Sequence, residues 1–218
     1  MERPQDIKQR LAIAVIILFH LVGLIGLCLP QSRAIFLQLV PYHLLLMMAV
    51  IIFTHQQFNK QFILFIGLIF GIGFIAEWIG VHKSWLFGNY SYGDTLGLKF
   101  NGVPLIIGVN WFLLVYCVGI LMQRSRVKNR WLRIIIGAAI LVLLDMLIEP
   151  VAIRFNYWHW ADDMIPIKNY ACWFIISGLL LFVFEKFEFK KQSLVGAILL
   201  IAQFVFFWCV AACLNLDL

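Results

Sequence analysis

Three carboxylates, Glu77, Asp145 and Glu149, lie inside long apolar runs, whereas the other eight of the chain's 11 acidic residues lie at the ends of such runs or between them. A charge at membrane depth costs about 2.5–3.5 kcal/mol on insertion scales, so acids placed there face a protein interior and have a task. Asp145 and Glu149 are four residues apart, which stacks them on one face of a helix. Two neighbouring carboxylates in a low dielectric do not both ionise readily, so the pair is expected to share a proton. A neutral carboxylic acid in an apolar pocket is a proton donor kept from water. The competing reading is structural, with Arg154 or Lys83 as ion-pair partners.

The residues around these acids narrow the chemistry. Trp78, Trp85, Tyr90, Tyr92, Trp111, Trp158, Trp160 and Trp173 offer aromatic faces of the kind that attract a cation. His20, His43, His55, His82 and His159 form no HxxxH or HxxHH box, and His20 and His43 read as lone helix residues rather than ligands. Asp162–Asp163 begins no DDxxD run, so the ligands of magnesium–pyrophosphate chemistry are missing. The last lysine, Lys191, precedes the final apolar run, which leaves no lysine there for a retinal Schiff base. No GxGxxG, P-loop, GxSxG or Cys/His pairing occurs, and Gly67, Gly71 and Gly73 read as sites of close helix packing. Acids, aromatics and an apolar interior suit the protonation of an isolated alkene, in which an acid makes a carbocation that aromatic faces then stabilise.

The elements that must hold these residues are membrane helices. The 218 residues are 63% hydrophobic and 13% charged, with mean hydropathy +0.95, too apolar for a water-soluble domain. Windows of about 19 apolar residues give seven spans, near 11–29, 34–53, 62–81, 103–122, 132–149, 170–185 and 194–214. The expected fold is an all-α polytopic bundle forming one integral-membrane domain over 1–218. The first span follows Arg3, Lys8 and Arg10 but has a long apolar core and no cleavage-site pattern, so it reads as retained. With the N-terminus cytoplasmic, twelve of the 17 Lys and Arg fall on the inner side and five on the outer, the positive-inside bias. That makes the protein a multi-pass resident of the cell (inner) membrane. The net charge of +6 forms no basic stripe along a helix, so nucleic acid is not an expected partner. Cys28, Cys117, Cys172, Cys209 and Cys213 show no paired spacing and read as small core- or lipid-facing residues.

This layout puts the two long connections, 82–102 and 150–169, on one face. They carry Trp85, Tyr90, Tyr92, Tyr157, Trp158 and Trp160, while the opposite side has only Trp131. An interfacial aromatic belt would mark both faces, so these loops are candidates for a site beside the carboxylates. The segments Phe87-Gly88-Asn89-Tyr90-Ser91-Tyr92 and Phe155-Asn156-Tyr157-Trp158-His159-Trp160 each follow a membrane carboxylate, which hints at a duplicated unit.

Taken in order, Glu77, Phe87 to Tyr92, Gly102-Val103-Pro104 and Asn110-Trp111, then Asp145-x3-Glu149-Pro150, Tyr157 to Trp160, Pro166 and Asn169-Tyr170-x2-Trp173 resemble the membrane carotenoid biosynthesis protein family. The resemblance covers roughly 70–180, about half the chain. That family includes the carotenoid 1,2-hydratases and the bisanhydrobacterioruberin hydratases, and it is similar to small membrane lycopene cyclases. The sequence departs from it at Ile107-Gly108-Val109, which lacks a proline, and at Phe155-Asn156, which replaces a glycine-containing turn.

The resemblance implies addition of water to the terminal C1–C2 double bond of an acyclic carotenoid, with no cofactor and no metal. Water, the lipid bilayer and other carotenoid enzymes are the expected partners. Asp145, Glu149 and Glu77 are the expected catalytic residues. Trp78, Trp85, Phe87, Tyr90, Tyr92, Asn110, Trp111, Trp158, Trp160, Asn169 and Trp173 are expected at the substrate, with Glu77, Asn110 or Asn169 orienting the water. Asp94 and Asp162, in the loops, are expected to be dispensable. A cyclase would use the same acid and aromatic faces. A non-catalytic isoprenoid carrier or a transporter would keep the carboxylates ion-paired or place them at the membrane midplane.

Overall fold

A computed structural model describes residues 4–161 and 163–216; Asp162 lies outside the described residues. Seven helices carry the apolar runs: α1 (Pro4–Cys28), α2 (Pro30–Thr54), α3 (Lys60–Lys83), α4 (Ile106–Arg124), α5 (Arg130–Arg154), α6 (Ile167–Lys186) and α7 (Val195–Cys213). All seven are long and apolar enough to cross a bilayer. In hydrocarbon every backbone N–H and C=O must find its partner inside the protein, and a helix does this within one segment. The protein is therefore an all-α, multi-pass membrane bundle.

Each helix end has a local cause. Asn59 and Asn129 cap α3 and α5, their side-chain oxygens accepting from Phe62 N at 3.0 Å and Leu132 N at 3.2 Å. Pro30 occupies the first turn of α2, where its missing N–H costs nothing. The carbonyls left free at the end of α1 are taken by Arg33, whose Nε donates to Leu27 O at 2.8 Å. Helix α5 runs through Pro150 to Arg154, so the second connection is shorter than the hydropathy reading: Pro150 removes one ladder bond without stopping the helix.

Helix α4 is the axle of the bundle. Buried residues make up 83% of its spanning window, against 17% for α2, and α4 packs on α2, α3, α5, α6 and α7. Around it, α5 lies along α6, and α1 lies against both α2 and α7. At the basic end, His55 Nδ1 meets Tyr116 Oη at 2.8 Å, and Gln192 accepts from Gln56 N at 2.8 Å, tying the short loops together.

The opposite end carries the two long connections, and these are not loose. Strand β1 (Tyr90–Tyr92), from the α3–α4 connection, pairs antiparallel with a strand in the α5–α6 connection, Trp158–Trp160. Between them in sequence, β2 (Lys99–Phe100) and β3 (Val103–Pro104) form a small hairpin, which makes Trp158–Trp160 strand β4. The β1–β4 register is Tyr90 opposite Trp160, Ser91 opposite His159 and Tyr92 opposite Trp158. Side chains alternate along a strand, so Ser91 and His159 are exposed while the four aromatic residues turn down onto the bundle. Thus the two segments that look alike in sequence lie side by side.

The turns into these strands need unusual backbone. Gly88 has φ of +149°, and a Cβ there would lie 2.7 Å from Pro166 and 3.0 Å from Trp160. Asn156, in place of a glycine, takes φ of +57°, which asparagine tolerates better than most residues.

Two expectations are corrected here. Cys28 and Cys213, 185 residues apart, form a disulfide that joins the last turns of α1 and α7. Spacing could not reveal this pair, because the bundle rather than the sequence brings its members together. Of the three glycines read as packing sites, only Gly73 is one: a Cβ on it would lie 2.5 Å from the Trp111 ring, while Gly67 and Gly71 face nothing within 4 Å.

Gly73→Val is therefore expected to lower the thermal midpoint of the purified protein by overpacking, at a cost of about 1–3 kcal/mol. Gly67→Ala and Gly71→Ala should leave it in place. Equal effects at all three positions would contradict this packing.

Candidate functional site

Glu77 lies one and a half turns before the end of α3 and is 5% exposed. Its Oε2 accepts from the Tyr90 hydroxyl at 2.6 Å and from the Tyr92 hydroxyl at 2.8 Å, and its Oε1 accepts from Trp111 Nε1 at 3.0 Å. The two tyrosines reach one oxygen because residues i and i+2 of β1 share a face. Burial, together with the neighbouring Glu77, holds both tyrosine hydroxyls well above the ordinary tyrosine range, so they stay protonated as donors.

Glu149, on α5, is held in the same way by the other strand. Its Oε2 accepts from Trp158 Nε1 at 2.9 Å and from Trp160 Nε1 at 3.0 Å. The third donor is Asn169 in the first turn of α6, whose Nδ2 lies 3.0 Å from Glu149 Oε1. The same amide nitrogen lies 2.9 Å from Asp145 Oδ2, so its two hydrogens bridge the two acids across one helical turn. Asp145 is fully buried, and among the described residues its Oδ1 has no partner.

The three acids are thus unequal. Glu77 and Glu149 each accept three hydrogen bonds. Asp145 accepts one, shared with its neighbour. Among the described residues, no Lys or Arg forms an ion pair with any of them: Lys83 and Arg154 are exposed. The ion-pair reading of the carboxylates does not describe this site.

All three acids line a single cavity of about 400 Å³. Its wall includes Phe87, Tyr90, Tyr92, Asn110, Trp111, Trp158, Trp160, Asn169 and Trp173. The rings of Trp111 and Trp173 stack at 4.4 Å between centroids and 24° between planes. Asn110 is half-buried beside Trp111 and, among the described residues, has no side-chain hydrogen bond. Away from the loops the cavity reaches the lipid-facing side of α1 and α2, where Phe19, Val22, Leu39 and Tyr42 on its wall are exposed.

Two of the expected aromatic residues are not brought to the cavity. Trp78 points off the other side of α3 and stacks on His82 at 4.7 Å, and Trp85 is 71% exposed at the rim. Helix phase accounts for the first, because the residue after an inward glutamate is turned about 100° away from it. Sequence reasoning missed His20, His43 and Gln203, which line the same cavity from α1, α2 and α7. The signal was available: they are polar side chains in apolar runs, as the three acids are. Among the described residues, no group of three or more His, Cys, Asp or Glu side chains is arranged to hold a metal ion.

The family model described as carotenoid biosynthesis protein matches residues 38–217. The bisanhydrobacterioruberin hydratase of Haloarcula japonica is 28% identical over 125 residues, covering 54% of this chain and 42% of that protein. The chain thus matches less than half the length of that relative. No solved structure gives a significant match. A match that takes in all four strands, all three acids, most of α2 and the five helices after it shows that the chain belongs to the carotenoid biosynthesis protein family.

Proposed function

We propose that this protein adds water across the terminal C1–C2 double bond of an acyclic carotenoid by acid-initiated carbocation chemistry. The observation that carries the reading is the unequal hydrogen bonding of the three buried acids. Glu77 and Glu149 have the donors to remain anionic, while Asp145, with one shared donor and a bare Oδ1, is the acid that holds the proton. The bisanhydrobacterioruberin hydratase that resembles the chain supports hydration as the reaction class.

An apolar chain enters from the lipid between α1 and α2 and brings one end to the acids. Asp145 gives its proton to C2, and the π electrons of the C1–C2 bond form the new C–H bond. The positive charge left on C1 is tertiary. It is stabilised by the faces of Trp111 and Trp173 and by the fixed negative charge of Glu77 and Glu149, which need no reorganisation at that moment. A water held by Asn110 forms the C–O bond at C1. The proton it sheds returns to Asp145, so one water is consumed and the acid is restored.

The closed ring of donors gives each anchor a role. Removing Tyr90 or Trp160 leaves a buried carboxylate short of one charged hydrogen bond, which costs about 1.5–3 kcal/mol. The carboxylate then competes for the proton of Asp145.

The test is pigment analysis of a lycopene-producing bacterium that expresses the chain. The wild type is expected to yield a more polar pigment heavier by one or two waters. Asp145→Asn should lower its formation at least about a hundredfold, within the range of a lost general acid, with the variant protein still accumulating in the membrane. Asp94→Asn should change nothing, because Asp94 is exposed and pairs with Lys99 at 2.7 Å in the loop. Full turnover by Asp145→Asn would overturn the assignment of the acid. An isomeric pigment in place of a heavier one would replace hydration by cyclisation.

Removing one donor to a glutamate should be milder than removing the acid. Tyr90→Phe is expected to reduce turnover about tenfold or more, and Trp160→Phe likewise, whereas Ser91→Ala, on the exposed face of the same strand, should be silent. Equal losses at Tyr90 and Ser91 would mean that the strand acts only as a structural cover.

A further inference from the structure

The basic end of the bundle, away from the acids, carries a cluster that the chemistry above does not use. Trp131, in the first turn of α5, is 58% exposed. Its ring stacks on Phe182, one turn before the end of α6, with centroids 5.7 Å apart and planes at 13°. A cation lies over each ring. The Arg130 guanidinium carbon is 5.8 Å from the Trp131 centroid, and Lys186 Nζ is 5.3 Å from the Phe182 centroid. Two helices thus build one platform, a pair of stacked rings flanked by two positive charges, at the level where both spans end.

Charge and surface together define what fits there. Among the described residues neither Arg130 nor Lys186 forms an ion pair, whereas Arg133, one turn along α5, is taken by Glu185 at 2.8 Å. Glu188, on the wall of the same cleft as Arg130, is exposed and makes no ion pair with it among the described residues. Residues 124–133 and 185–191 hold eight Lys and Arg against two Glu, so the local field attracts an anion. A cation over a ring face keeps N–H groups to give to that anion. Toward the middle of the bundle, Ile175 and Leu179 lie on the same face of α6 as Phe182 and Lys186, and both are exposed, as is Ile135 of α5. A free anion would leave this apolar stripe unused, and a hydrocarbon would leave the two charges unmet. A phosphate joined to an acyl chain meets both.

We infer that Arg130, Trp131, Phe182 and Lys186 form a site for one anionic phospholipid, its phosphate held by the two cations and an acyl chain lying along the exposed stripe of α5 and α6. Basic clusters at the membrane boundary attract anionic headgroups, and an aromatic ring at that level holds the glycerol region. The occupant is a bilayer lipid rather than the substrate. The site stands or falls independently of the proposed reaction.

Quenching of Trp131 by labelled lipid tests this. The full chain is reconstituted in phosphatidylcholine vesicles containing a rising share of phosphatidylglycerol with brominated acyl chains, which quench a nearby tryptophan. Parallel series use brominated phosphatidylcholine and brominated phosphatidylethanolamine. The Trp131 signal is the difference between the wild type and Trp131→Phe, which keeps an aromatic ring in place. Brominated phosphatidylglycerol is expected to quench it at about a tenth or less of the share that brominated phosphatidylcholine needs. Arg130→Gln and Lys186→Gln should each reduce that preference about fivefold, and the double variant should abolish it. Lys191→Gln, an exposed cation outside the platform, should keep it. Unchanged quenching of every variant by brominated phosphatidylcholine shows that the bundle is still folded and inserted. Equal quenching of the wild type by phosphatidylglycerol and phosphatidylcholine would overturn the inference, as would phosphatidylethanolamine acting like phosphatidylglycerol. A loss in Lys191→Gln as large as in Arg130→Gln would replace the site by a diffuse field. Release of the quenching by inorganic phosphate at constant ionic strength would assign the cations to a free anion and overturn the lipid.

Discussion

Three carboxylates buried in a membrane bundle, with no counter-cation among the described residues, constrain the rest of the molecule. An unpaired charge in such a setting is costly, and a partner lysine or arginine would quench the chemistry that an acid offers. The fold meets the constraint with neutral donors: two tyrosine hydroxyls, three indole N–H groups and one carboxamide. All six donors come from outside the helices that bear the acids, four of them from the two long connections. That is why the two connections cannot be loose loops, and why they pair as β1 and β4 above the bundle. The axle position of α4 follows as well, since Trp111 must reach Glu77 while stacking on Trp173 of α6.

The donors fall into two matching sets. In the first, a glutamate near the end of α3 is held by residues i and i+2 of the following strand and by a side chain in the first turns of α4. In the second, a glutamate near the end of α5 is held by residues i and i+2 of β4 and by Asn169 of α6. The sets differ one turn before the glutamate. There α3 has Gly73, which gives room to the Trp111 ring, and α5 has Asp145. The duplicated arrangement thus supplies two glutamates with three donors each, and the break in it supplies an acid with a single shared donor. In the proposed chemistry those are the two functions required, one fixed charge on either side of a developing cation and one mobile proton.

The membrane class and the three acids were legible in the sequence because lipid makes composition and polar exceptions unusually informative: a carboxylate in an apolar run has few structural excuses. The likeness of the Phe87–Tyr92 and Phe155–Trp160 segments was also readable, but that they pair with each other in antiparallel register was not, since hydrogen bonding between distant segments leaves no trace in spacing. The Cys28–Cys213 bond was hidden for the same reason. Trp78 and Trp85 were drawn into the site by residue type, whereas helix phase and the αL turn at Ser84 turn them away. His20, His43 and Gln203 were passed over because each looked solitary in its own helix. Only the convergence of α1, α2 and α7 makes them a group.

The central claim is that carbon is protonated first and water follows. Pigment formed by the wild-type protein in deuterium oxide addresses it directly, by mass spectrometry after exchange of hydroxyl protons back to hydrogen. The account predicts one deuterium retained on carbon for every hydroxyl gained, at the carbon next to the tertiary alcohol. A hydroxylated product without carbon-bound deuterium would contradict protonation by the buried acid, and with it the role given to Asp145.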